Sequence, residues 1–146
     1  MITQFRAFVE HGDKSFMCDS NQFAFIFDCS PHGDVVVHDY LIQFKVKKEN
    51  VMQGTNLKDK NNKPIFEHDI VRMMEHDNTF YQGLFEVLQS KTGEWRIEKE
   101  SGGAVLQFNL NSVEVVGNAY ENRELLDEIW ENTSEFGLRA DKIKKG

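Results

Sequence analysis

Between residues 66 and 117 the chain sets five short runs of β-branched, aromatic and aliphatic residues close together, and turn signals separate them. The runs are FEHDIVRMM, GLFEVLQS, EWRIEK, AVLQFN and VEVVG, and the breaks are DNTFYQ, KTG and ESGG. Short runs with a period near two, punctuated by Gly, Asn and Asp, are strands and tight turns. Five such strands in about sixty residues predict a small barrel.

The residues before this region are β-rich as well. QFAFIFDC alternates poorly and reads as a strand buried on both faces. VVVHDYLIQFKV reads as one or two strands, with SPHGD as the turn ahead of it. NLKDKNNKPI has the composition of a turn or loop: Asn61-Asn62 tolerates positive φ and Pro64 withholds a ladder donor. After the last strand the period changes. In NRELLDEIWENTSEF, Leu125, Leu126, Ile129 and Trp130 recur at helical spacing opposite Glu124, Asp127, Glu128 and Glu131. Asn122 is placed as N-cap, with its side-chain oxygen expected on a free backbone N–H, and Glu124 stands in the first turn, where the helix dipole favours negative charge. The expected organisation is a β-rich lobe over residues 1–50, a barrel over 51–120, a helix over 121–136 and a frayed tail over 137–146.

Composition narrows the function classes. The chain has 146 residues, 40% hydrophobic with twelve Phe, which is ample for a core without staples. It has no apolar run of membrane-spanning length, and MITQFRAFVEHGDKSF lacks the basic and hydrophobic regions of a leader, so a cytoplasmic protein without membrane partners is expected. The formal net charge of −7 disfavours direct nucleic-acid binding, which draws its affinity from Lys and Arg on phosphates. KVKKE, the Lys58, Lys60 and Lys63 loop, and DKIKKG read as solvated loops and ends.

FEHDIVRMMEHD repeats Glu-His-Asp within twelve residues and invites a metal or proton-transfer reading. Distance argues against it: in one strand over residues 66–76, Glu67 and Glu75 would stand about 26 Å apart, and neighbouring side chains would point to opposite faces. Asp69 has a structural use instead, accepting backbone N–H bonds from the preceding turn. Cys18, Cys29, His32 and His38 lack the paired spacing of a structural zinc site. Cys29 with His32 and Asp34 precedes a strand rather than a helix N-terminus that could activate a thiol, and both cysteines read as reduced thiols. No cofactor, no metal and no catalytic residue is expected.

VMQGTNLKDKNNKPIFEHDIV, followed at a distance by VEVVGNAYENRELLDEIW, resembles the YopX family of small proteins carried by phages and prophages of Gram-positive bacteria. The matching positions are Met52, Gln53, Thr55, Leu57, Lys58, Asp59, Lys63, Ile65, Phe66, Glu67, Asp69, Ile70 and Val71, then Gly117, Asn118, Tyr120, Glu121, Asn122, Leu125 and Leu126. Phe5-Arg6-Ala7 matches the family's N-terminal pattern. The departures are Gly54 for an aromatic, Asn62 for a turn Gly, His68 for a Gly and Arg123 for a Pro. The resemblance implies a mostly β fold in which an SH3-like barrel follows a more variable N-terminal part. It implies no catalytic group. SH3-type folds often place ligand-binding aromatics beside turns, which singles out Phe80, Tyr81 and Trp95. The expected role is a non-enzymatic accessory protein in a bacterial host cell that binds a host or phage protein, with a homo-oligomer as a further possibility. One alternative is an acidic inhibitor of a host defence or nucleic-acid enzyme, with Glu121, Glu124, Asp127, Glu128 and Glu131 imitating phosphates. A metal- or Cys-dependent hydrolase is the second alternative.

Overall fold

The computed structural model describes residues 4–27, 33–39, 41–73 and 82–130. Among them the chain is mostly β, with twelve strands, two 3-10 turns and one short α-helix. It divides into two compact units, Met1–Asn56 and Leu57–Gly146. The division falls inside a strand, β6 (Val51–Lys58), rather than before it. Met52 and Gln53 belong to the first unit because β6 pairs there with β1 (Phe5–His11), Gln53 opposite Phe5 and Met52 opposite Arg6. Asn56, the last residue of that unit, takes φ 63°, a conformation open to Asn at low cost.

In the first unit β1 turns through Gly12 at φ 65° into β2 (Lys14–Asp19), giving the order β2-β1-β6. A second sheet has the order β3-β4-β5, built from β3 (Ala24–Phe27), β4 (Val35–His38) and β5 (Gln43–Val46). The VVVHDYLIQFKV run is therefore a hairpin, its tip closed by Asp39, whose Oδ1 accepts the Leu41 and Ile42 N–H groups at 2.8 Å each. Period-two alternation sends Ala7, Val9, Val35 and Val37 into a core with Cys18 and Val46, bordered by Phe16, Phe25 and Phe44. The structure corrects the expectation for QFAFIFDC: β3 is an edge strand, with Ile26 54% and Phe27 45% exposed. Its inward side carries Phe25, packed on the core, and Phe27, whose ring centroid lies 5.0 Å from that of Phe5.

The second unit contains β7 (Pro64–Phe66), β8 (Asp69–Met73), β9 (Gly83–Gln89), β10 (Trp95–Lys99), β11 (Gly102–Val105), β12 (Val113–Asn118) and α1 (Arg123–Ile129). Strands β8 to β11 form an antiparallel meander and β12 returns to pair with β8, so the order is β11-β10-β9-β8-β12. This sheet curls into the half-barrel expected of an SH3-like fold. One face packs Val71, Met73, Phe85, Val87, Ile97, Leu106 and Val113. The other packs Ile70 and Leu88 beneath Leu126, Ile129 and Trp130. No helix among the described residues is long and apolar enough to cross a membrane.

Three expected elements differ in extent. FEHDIVRMM is not one strand, because Glu67 and His68 form a turn between β7 and β8. AVLQFN is half strand: β11 begins at Gly102, and Leu106–Asn109 winds into a 3-10 turn that buries Leu106, with the Asn109 amide donating to the Val105 carbonyl at 2.7 Å. The helix closes at Ile129, and Trp130 is already extended at φ −123°, ψ 118°. The rest of the expected helix, the tail, Cys29 and His32 lie outside the described residues.

Cys18 is a free thiol turned into the first unit's core. Burial, helped by the nearby Asp19 charge and opposed by a hydrogen bond to Ala7, pushes it up to about 11 from 9.0. A raised folded value adds stability that is complete below pH 9 and is lost as pH rises towards 11. Chemical denaturation at pH 8 and pH 10.5 should show the parent losing roughly 1–2 kcal/mol more than Cys18→Ala. Parallel losses in the two proteins would contradict it.

Candidate functional site

The residues of the family-like pattern do their work at three turns. At the first, Asp59 is buried and both of its oxygens accept backbone N–H groups. Oδ1 takes those of Asn61 at 2.8 Å and Lys63 at 2.9 Å, and Oδ2 takes that of Val115 at 2.8 Å. The Lys60 N–H adds a bond to the Val113 carbonyl at 3.0 Å. Asp59 therefore closes the loop at residues 59–63 and fastens it along β12. Asn62 supplies the positive φ, 63°, that its composition suggested.

At the second turn, His68 stands at φ 67°, a conformation Gly adopts freely and His only uncommonly. The surroundings hold it there. Its N–H donates to the Val87 carbonyl at 2.7 Å, its carbonyl accepts the Ala119 N–H at 2.9 Å, and its Nδ1 lies 2.8 Å from Glu86 Oε2. Asp69 caps the turn, its Oδ2 accepting the Phe66 N–H at 2.8 Å, while Glu67 sits half-buried within it. Tyr120 meets the His68 ring edge-on, with centroids 6.0 Å apart.

The third turn runs from Gly117 to Asn122. Asn118 Oδ1 accepts the N–H groups of Tyr120 at 3.0 Å and Glu121 at 2.9 Å, and its Nδ2 donates to Glu121 Oε1 at 2.8 Å. Asn122 Oδ1 accepts the Asn118 N–H at 3.0 Å. This corrects the expected N-cap: Asn122 is the N-cap residue, but no side-chain bond caps the helix, because the side chain is turned back to close the preceding turn. Gly117 is required by the same arrangement, since a Cβ there would run into the Asn122 side-chain amide.

A fourth cluster escaped the sequence reading. Along β9, Leu84, Glu86 and Leu88 share one face by alternation, and Glu86 is fully buried there. Its Oε2 meets His68 Nδ1 and its Oε1 accepts the Trp130 Nε1–H at 3.0 Å. Glu98 is its direct cross-strand neighbour on β10. Arg96 Nε donates to Glu98 Oε1 at 2.7 Å and Nη1 to Glu94 Oε1 at 3.0 Å, and the bond to Glu98 foremost raises the Arg96 guanidinium above its ordinary value. The available signal was a lone carboxylate inside GLFEVLQ, flanked by Leu84, Phe85, Val87 and Leu88.

The candidate partner-binding residues do not converge. Glu124, Asp127 and Glu128 are exposed on α1, and exposed Glu121 precedes it while holding Asn118. Trp95 packs half-buried against the half-barrel core; Gln53, a residue of the family-like pattern rather than a binding candidate, lies in the first unit. Phe80, Tyr81 and Glu131 lie outside the described residues. Among the described residues no three His, Cys, Asp or Glu side chains are grouped to hold a metal ion.

A protein-family model described as YopX protein matches residues 4–127. No individually curated protein matches the chain.

The Glu86 cluster and the Gly117 contact each give a test. Trp130→Phe keeps an aromatic ring but deletes the N–H on Glu86 and should cost roughly 1–3 kcal/mol, whereas Trp130→Ala should cost roughly 3–5 kcal/mol in equilibrium unfolding. A Trp130→Phe protein as stable as the parent would show that the indole bond contributes nothing. Gly117→Ala should cost roughly 1–3 kcal/mol. Most of that cost should vanish when it is measured in an Asn122→Ala background, where the obstructing amide is gone. Additive losses would place the strain elsewhere.

Proposed function

We infer a binding role from two facts together: the chain belongs to the YopX family, and the polar side chains of its family-like pattern are engaged in holding turns. Asp59, Asp69, Asn118 and Asn122 each accept backbone N–H groups. That engagement carries the reading, because it assigns the pattern to scaffolding and leaves function to exposed surface. The protein is a non-enzymatic accessory protein of a phage or prophage, acting in the bacterial cytoplasm by binding a host or phage protein. Burial and the raised thiol of Cys18 weigh against its use as a nucleophile in a hydrolase.

The exposed acidic face of α1 favours a second reading, in which Glu124, Asp127 and Glu128 present a phosphate-like surface to a host defence or nucleic-acid enzyme. The two readings separate in one experiment. Tagged protein and the triple variant Glu124→Lys, Asp127→Lys, Glu128→Lys are used to capture partners from host lysate at low and high salt. The plain binding role expects the same partner with both proteins. The mimic expects a salt-sensitive partner lost from the variant. Recovery of no partner by the parent protein at either salt overturns both.

A further inference from the structure

We propose that α1 and Trp130 form a strap that leaves the outer sheet face as one unit, pivoting after Asn122, and that the charges on its exposed side set how often it opens. Leu126, Ile129 and Trp130 pack over Ile70 and Leu88. The Trp130 indole N–H donates to Glu86 at 3.0 Å, and the Ile129 carbonyl accepts the Glu100 N–H at 3.1 Å. These anchors share one side of the segment, so a single swing releases them together. The turn ahead of the helix needs none of them. Asn118 holds the N–H groups of Tyr120 and Glu121, and Asn122 holds that of Asn118, through bonds that do not involve the helix. At Asn122 the backbone, φ −125° and ψ 59°, is outside the helical range, which places the pivot there.

The helix is stabilised by its docking and opposed by its own sequence. Seven residues are too few to persist as a helix without packing. The N-cap makes no side-chain bond and the last turn has no basic residue, while Asp127 and Glu128 place negative charge there, against the helix dipole. Exposed Glu124 and Glu128 stand four residues apart, neighbours of like charge on the helix surface. Arg123 and Asp127 are opposite in charge at the same spacing, but with the base first, which is the weaker order. The repulsion exists only while the helix is formed, so it is relieved when the strap opens. Local preferences that oppose the fold around them gather where a protein has another use for the segment.

Opening uncovers Ile70, Leu84 and Leu88 and takes the indole donor away from buried Glu86. The closed strap therefore masks an apolar strip that the protein presents only transiently. Screening or cancelling the charge on Glu124 and Glu128 favours the masked state.

Hydrogen exchange on the full chain, with each rate divided by the intrinsic rate of its group, tests this. The groups compared are the Trp130 indole N–H, the amides of Glu100, Leu126 and Trp130, and the Phe85 and Val87 amides of the central strand β9. The indole and its three companion amides should exchange through one common opening, at least about 10-fold more frequent than the one that frees β9. Glu100 lies outside the helix, so its joint exchange separates a swinging strap from fraying of the helix end. Raising NaCl from about 20 to about 200 mM should slow the common opening roughly 2- to 5-fold. At low salt Glu128→Gln should slow it roughly 2- to 5-fold and Glu128→Lys roughly 5- to 20-fold, with salt no longer slowing the Lys variant. Gln, Lys and Glu have nearly equal helix propensity, so a graded response isolates charge. Trp130 exchanging no faster than β9, Glu100 exchanging apart from the Trp130 indole, or an opening indifferent to salt and to both substitutions would each overturn the proposal.

Discussion

A carboxylate buried inside an apolar layer is costly unless its oxygens are met by donors, and the second unit is arranged around meeting that demand for Glu86. The two contacts come from distant parts of the chain. His68 reaches Oε2 from the turn before β8, and Trp130 reaches Oε1 from the residue after α1. A helix of seven residues is too short to persist alone. Docked, it places Leu126, Ile129 and Trp130 on the outer sheet face, and the indole fixes how far along β9 it sits. The same pairing stabilises His68 in its positive-φ conformation, so the helix, the turn and the strand depend on one another. Glu98, directly across from Glu86, would repel it, and the Arg96 guanidinium on Glu98 offsets that charge.

Short polar side chains solve the remaining problem, the backbone groups that a curled sheet leaves unpaired at its turns. Asp59, Asp69, Asn118 and Asn122 are all one carbon from the main chain, and each returns a bond to N–H groups within a few residues. Asp59 also reaches Val115 in the middle of β12, fifty-six residues on. A longer carboxylate such as Glu would carry more rotamer freedom into these positions and would reach past the near N–H groups. This explains why the family-like pattern is dense in Asp and Asn yet forms no reactive cluster.

Much of this was legible in the sequence, and the parts that were not share a cause. Alternation and turn composition located the strands of the half-barrel, and helical spacing identified the side of α1 that faces inward through Leu126 and Ile129, with Trp130 following just beyond it. Asn62 at positive φ follows from residue type. The misreadings arose where side-chain pairing across the fold overrides local preference. His68 adopts a glycine-like conformation because Val87, Ala119 and Glu86 hold it, and none of the three is a sequence neighbour. Asn122 abandons the capping bond its position suggests for one to Asn118. Burial of Glu86 has no local signature, because it depends on donors eighteen residues before and forty-four after it. The apolar run of β3 was read as doubly buried because composition does not distinguish a central strand from an unguarded edge.

The loop at residues 59–63 has a consequence for how chains of this kind can diverge. The Asp59 N–H bonds to the Lys63 carbonyl, Asp59 Oδ1 takes the Lys63 N–H, and Oδ2 and the Lys60 N–H reach Val115 and Val113. The span is thus counted at both ends and again along its length. The exposed side chain of Asn61 is free to vary. An insertion or deletion would pull Lys63 out of reach of the same carboxylate and uncover the flank of β12. Related chains should therefore vary in residue identity here while keeping the number of residues constant, and length changes should accumulate in loops without such double anchoring.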